Sequence, residues 1–209
     1  MLRSAMDRAK AELIERDAFL FHYRKGIPLK GPDIWPETIR GASSRGRVLV
    51  FEMSSAVHGI HCVMATDEAS VSGDQGCLWF GLAAHPNREA ASWKAMGEYA
   101  CMYLDHAMRP GWCAGVFAGT QPASRLPDFH HAASRDPRNR RRFHDLCGAA
   151  AAKAHRQNDH SIEWSQSEIH SPLRYFRYAW ASSPTLHALE FGLSEPVPAG
   201  EPPLFHPVW

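Results

Sequence analysis

The chain has 209 residues and 23.4 kDa, is 44% apolar and 22% charged, and carries a net charge of +1. That length allows a single domain with a sizeable core, and seven Trp and ten Phe argue against disorder. The near-neutral charge gives no global attraction for nucleic acid, membrane or an acidic partner.

In chain order, Ser4 to Tyr23 reads as a helix, because Met6, Ala9, Leu13, Phe19 and Leu20 recur near a 3.6-residue period between charged residues. From Arg24 to Gly46 the composition shifts to Gly, Pro and Ser, which predicts an extended connection. Arg47 to Met53 and Val57 to Ala65 read as two strands. Asn87, a good N-cap, opens a helix that runs to Met108 and ends at Pro110-Gly111. Trp112 to Ala118 is a short apolar segment, and Gly119 to Asp136 a loop rich in Pro and Ser. Pro137 to Gln157 is a further helix, with Phe143, Leu146, Ala150 and Ala154 inward, and Ser167 to Phe176 a short third one. Ala179 to Ala181 and Thr185 to Phe191 are strand candidates. The tail from Ser194 has five prolines in sixteen residues and should be extended. The expected organisation is residues 1–46 as N-terminal helix and connection, 47–193 as an α+β core, and 194–209 as a Pro-rich tail.

Five cysteines with no CxxC pair disfavour a disulfide framework and a four-cysteine zinc site, and fit a reducing, cytoplasmic compartment. No secretory signal follows Met1 to Lys10, and no apolar run approaches the roughly 18 residues that span a bilayer. On a strand, His58 and Cys62 would share a face while His61 points away. No second pair completes that site, and no metal is expected. Arg138-Asn139-Arg140-Arg141-Arg142 is a dense basic run at a helix start, where the dipole favours acids. Arg138, Arg140, Arg141 and Arg142 are therefore candidates for an anionic partner, the alternative being a solvated helix face.

The stretch Ser72 to Phe80 places Cys77 after a polar turn with two glycines and before the apolar run Leu78-Trp79-Phe80. That pattern reads as the start of a helix anchored by Leu78, Trp79 and Phe80, whose N-terminus together with Asp74 favours a held thiolate. The alternative for Cys77 is burial as a packing residue. A thiol nucleophile needs an imidazole, and His187, in the late strand candidate just after Ser182-Ser183-Pro184, is the candidate base.

Asp74-Gln75-Gly76-Cys77-Leu78-Trp79 resembles the Asp-Gly-Asn-Cys-Leu-Phe element of ovarian-tumour-type (OTU) cysteine peptidases, many of which cleave ubiquitin. Trp164-Ser165-Gln166-Ser167-Glu168-Ile169 is similar to that family's Trp-Gly-x-x-x-Glu-Leu element, which opens a helix before the last strands. Viral papain-like leader proteases share the order of Cys, aromatic and later His. The resemblance implies a papain-like fold, central helices packed on a small, mainly antiparallel sheet. It also implies a thiol-dependent peptidase or deubiquitinase-like isopeptidase that needs no cofactor. Cys77 would attack, His187 would act as base, and backbone N–H groups of Asp74 to Cys77 would form the oxyanion hole. Asp74, Asn158 or Asp159 would orient the imidazole, and the substrate would be a protein, ubiquitin-like or a viral polyprotein. The other reading is non-enzymatic. Leu189-Glu190-Phe191-Gly192-Leu193 and Phe205-His206-Pro207 resemble phage tail-completion proteins, which implies a structural subunit of a virion-type assembly.

Overall fold

A computed structural model describes residues 4–34, 45–72, 78–108, 136–148, 163–170 and 177–186. Helix α1, Ala5–Lys25, begins with a capping box in which the Ser4 hydroxyl accepts from the Asp7 N–H and the Asp7 carboxylate accepts from the Ser4 N–H. It ends at Gly26, whose left-handed φ of 63° lets its N–H return to the His22 carbonyl. His22 ties the end of this helix to the chain on either side of the sheet's first two strands. Its Nε2 accepts from the Ser54 N–H at 2.8 Å, so Nδ1 is the protonated nitrogen and donates to the Ile27 carbonyl at 2.8 Å.

Four antiparallel strands make the main sheet in the order β1-β2-β3-β4: β1 Lys30–Ile34, β2 Val48–Met53, β3 His61–Asp67 and β4 Phe80–His85. The register pairs Val50 with Ala65 and Met64 with Leu82. Strand β1 lies inside the expected extended connection. It is an edge strand carrying Pro32 and a register shift between Lys30 and Asp33, both of which blunt an open edge. Helix α2, Glu68–Ser72, follows β3 directly, and α3, Arg88–Met108, follows β4. Asn87 caps α3 as expected, its Oδ1 accepting from the Ala90 N–H at 2.9 Å. Helix α4 is Pro137–Gly148, and β5, Ser165–His170, pairs antiparallel with β6, Arg177–Ser182.

The sheet is buried on both faces, and alternate residues divide between them. Leu49, Phe51, Met64, Phe80 and Leu82 meet α1 and α4 on one side. There a line of rings, Tyr23, Phe19, Phe80 and Phe143, packs at successive centroid distances of 5.6, 5.0 and 5.4 Å. Val48, Val50, Val63, Ala65 and Ala83 meet Ala91, Ala95, Met96 and Tyr99 of α3 on the other. Each large side chain so buried contributes about 1.5–3 kcal/mol. Helix α3 lies very close to β4. A Cβ on Gly81 would stand 2.1 Å from the Ala95 carbonyl oxygen and 2.5 Å from the Tyr99 nitrogen, which only glycine permits.

The chain is therefore α+β, with helices packed on a small antiparallel sheet, but two features required by a papain-like arrangement are replaced. The run Leu78-Trp79-Phe80 leads into strand β4, not into a helix. A continuous apolar run of this length, bounded by turn residues, is what a strand buried on both faces requires. The Trp164 element, expected to open a helix, is strand β5. Among the described residues, no helix is long and apolar enough to cross a membrane.

Candidate functional site

Cys77, Asp74 and His187 all lie outside the described residues, as do Asn158 and Asp159. In the described residues that follow Cys77 the structure differs from the expectation, because no helix starts at Leu78 to lower a thiol pKa. Of the described cysteines, Cys62 and Cys147 are buried and Cys101 is exposed. Burial pushes the Cys147 thiol well above its ordinary value, the opposite of what a thiolate nucleophile needs.

Two polar clusters occupy the sheet instead. The first is built on Asp67, the last residue of β3, which is fully buried. As N-cap of α2 it accepts the Ser70 N–H on Oδ1 at 2.6 Å. Its Oδ2 accepts from Arg45 Nε at 2.8 Å and from the Tyr99 hydroxyl of α3 at 2.9 Å. The Arg45 guanidinium also lies 4.5 Å from the centroid of the Trp79 ring and donates to the Ser70 hydroxyl at 3.1 Å. Trp79 is held on both sides of its backbone. Its N–H donates to Ser70 Oγ at 3.0 Å, and its carbonyl accepts from the Thr66 hydroxyl at 2.6 Å.

The second cluster lies on the outer edge of β4. Among the described residues β4 ends the sheet, so alternate N–H groups face away from β3 and need acceptors. The Ala84 N–H donates to Glu15 Oε2 of α1 at 3.1 Å, and the Leu82 N–H to Glu98 Oε2 of α3 at 3.4 Å. Lys94 bridges the two carboxylates, its Nζ 3.1 Å from Glu15 and 3.6 Å from Glu98. Burial pushes Glu15 from an ordinary 4.5 up to about 7, against the pull of Lys94. Burial raises Glu98 as well. It also works against the Lys94 charge, but Glu15 and Glu98 outweigh it and hold that ammonium's pKa above the ordinary value.

The arginine run is largely used within the fold. Arg138 pairs with Asp136, which caps α4 by accepting the Arg138 N–H at 2.8 Å. That guanidinium holds the Asp136 carboxyl below its usual range. Arg142 donates to the Tyr23 and Arg24 carbonyls at the end of α1, where the helix dipole favours a cation. The Nε of Arg140 is buried without a hydrogen-bond partner among the described residues, and Arg141 is exposed.

None of Glu15, Asp67, Lys94 or Glu98 stands out in the sequence as a site. The available signals were a carboxylate inside the apolar run Leu13-Ile14-Glu15, an acid ending the run Cys62 to Thr66, and the i,i+4 spacing of Lys94 and Glu98. Among the described residues, no three or more His, Cys, Asp or Glu side chains form a group that could hold a metal ion. The expectation for His58 and Cys62 fails on secondary structure, since His58 sits in a turn and the strand begins at His61.

Residues 2–183 match the family model described as YcaO cyclodehydratase, ATP- and Mg2+-binding. No curated protein matches the chain. Among solved structures it is similar to YcaO from Methanopyrus kandleri bound with AMPPCP and Mg2+, at 26% identity and a TM-score of 0.39. That likeness covers 47% of this chain and only 27% of the other. The family match overturns the OTU and papain-like reading, and with it the thiol peptidase or deubiquitinase that was to act through Cys77, His187 and Asp74. It likewise removes the ubiquitin-like or viral polyprotein partner and the alternative of a phage tail-completion subunit. Two short elements and one histidine pointed to a peptidase; a match running through all the described elements shows that this chain belongs to the YcaO family.

Proposed function

We propose that the chain is the ATP-using part of a peptide cyclodehydratase. The single observation that supports this is the family match through residues 2–183, which takes in all four strands of the main sheet and helices α1 to α4. The chemistry follows from the family description. To close a ring with loss of water, a side-chain heteroatom adds to a neighbouring backbone carbonyl, and the former carbonyl oxygen must leave. As hydroxide it leaves poorly. Transfer of the γ-phosphoryl group of ATP to that oxygen turns it into phosphate, a good leaving group. The balance is one ATP consumed, ADP and phosphate released, and a peptide lighter by one water per ring.

Mg2+, where bound, neutralises phosphate charge during such transfers. The three carboxylates of the two polar clusters do not fit it. Asp67 is committed to Arg45, Tyr99 and the α2 N-terminus, and Glu15 and Glu98 to the β4 edge and Lys94. Their clear task is to hold the sheet and helices in register.

The test uses the full chain with ATP, Mg2+ and a peptide containing Cys, Ser and Thr, its backbone carbonyls labelled with oxygen-18. The expected result is loss of one water per ring, with the label recovered in phosphate. Phosphate released without label and without loss of peptide mass would sink the cyclodehydration reading. Absence of ATP binding would sink the assignment of ATP use to this chain.

A further inference from the structure

The family description names Mg2+, and the outer edge of β4 is a place where two carboxylates share one cation. We infer that Lys94 is the resident cation of the Glu15–Glu98 pair, and that this chain does not take Mg2+ between those two carboxylates. The inference rests on the ATP- and Mg2+-dependent reading only for the choice of ion.

Three observations carry it. The first is occupancy: Lys94 Nζ is within 3.1 Å of one carboxylate and 3.6 Å of the other, approaching from α3 at the i,i+4 spacing that suits Glu98. A divalent cation binding there would have to displace or sit beside an ammonium. The second is that three of the four carboxylate oxygens are already used. Glu15 Oε2 accepts from both Lys94 and the Ala84 N–H, while Glu98 gives one oxygen to Lys94 and the other to the Leu82 N–H. Mg2+ demands oxygens at about 2.0–2.1 Å in near-octahedral array. Turning these carboxylates to provide it would orphan two N–H groups of an edge strand. The third is rigidity. With Gly81 against Ala95 and Tyr99, α3 is seated on β4, so Lys94 and Glu98 are held at fixed height above the edge.

Mn2+, an oxygen-preferring paramagnetic substitute for Mg2+, provides the test. It is titrated into the isotope-labelled full chain without nucleotide, and the backbone amide signals of Leu82 and Ala84 are followed. In the unaltered protein these two signals are expected to persist. In Lys94→Ala, which uncovers the pair, they are expected to broaden selectively. Selective broadening in the unaltered protein overturns the inference. Persistence in both also overturns it, because the ammonium is then not what excludes the ion. If Lys94→Ala does not fold, Lys94→Met, which keeps the apolar stem, takes its place, and the arm with the unaltered protein suffices to overturn the inference. These signals do not depend on ATP binding or ring formation, so failure of the functional reading and failure of this one are told apart.

Discussion

The two polar clusters solve the same problem in different ways. Both bring a carboxylate into the sheet, and both are served by α3, which sends Tyr99 to Asp67 and the neighbouring Glu98 to the β4 edge. Asp67 is surrounded by an arginine, a hydroxyl and a helix-terminal N–H. Glu15, almost as buried, has one backbone N–H and one half-exposed lysine, and its carboxyl is driven up to about 7. Two buried carboxylates thus meet very different sets of donors, and at Glu15 burial outweighs the few it has. The first cluster is a joint with many donors, fixed by its hydrogen bonds, and the second is a joint with few, whose Glu15 carboxyl changes charge near neutral pH.

The largest effect is expected at the fixed joint. Asp67→Ala leaves Arg45, the Tyr99 hydroxyl and the Ser70 N–H without their shared acceptor, and should cost about 3–5 kcal/mol. Urea unfolding measures it, and a loss under about 1 kcal/mol would show that water replaces the carboxylate, making the joint no tighter than a surface pair. Next comes the contact that serves both clusters. Gly81→Ala forces a methyl group into the Ala95 carbonyl and Tyr99 nitrogen, so α3 must lift from β4. About 3 kcal/mol should be lost, at the upper end for overpacking. Amide exchange should rise at both Leu82 and Ser70; a change at Leu82 alone would mean that Tyr99 follows Asp67 without α3.

The Glu15 joint is probed by pH. The folded value of Glu15, about 7, lies above its ordinary 4.5, so between those values the folded chain holds a proton that the unfolded chain releases. Its contribution is complete below the ordinary value and is lost as pH rises through about 7. Glu98, also raised, acts in the same direction. Between pH 5 and 7.5 stability should fall by roughly 2–3 kcal/mol, since a full proton held only by the folded chain is worth about 1.4 kcal/mol for each pH unit. Glu15→Gln should flatten most of that slope, as read from urea midpoints across the range. An unchanged slope would place the titrating group elsewhere.

Legibility in the sequence divides along similar lines. Helices α1 and α3 were readable because their apolar positions repeat with the helical period and Ser4 and Asn87 mark their starts. Strand β2 was readable as a short apolar run. Strand β4 was hidden because a buried strand and a buried helix look alike over a few apolar residues, and the Cys77 turn tipped the choice to a helix. Strand β1 was hidden by Gly31 and Pro32, which suit a blunted edge strand but read as loop. The carboxylate clusters were not legible at all. Glu15 meets Lys94 across 79 positions and Asp67 meets Tyr99 across 32, so only the fold brings them together. The peptidase reading failed for a related reason, since it joined three local resemblances without a fold that linked them.

The smallest expected effect sharpens the comparison by removing carboxylates from it. Arg142 is a cation with carbonyl partners: it donates to Tyr23 and Arg24 at the end of α1 and lies over the Tyr23 ring at 5.1 Å. It takes a place that the helix dipole makes negative, but neither carbonyl partner titrates between pH 5 and 8. Arg142→Gln keeps an amide donor while losing the charge and one fork of the guanidinium, and should cost about 1 kcal/mol. That loss should be the same at pH 5 and at pH 7.5, unlike the change in Glu15→Gln. If the cost of Arg142→Gln instead grew with pH, charge on the Glu15 side of α1 would be felt at its far end, and the Glu15 joint and the Arg142 contact would be parts of one coupled network along the helix.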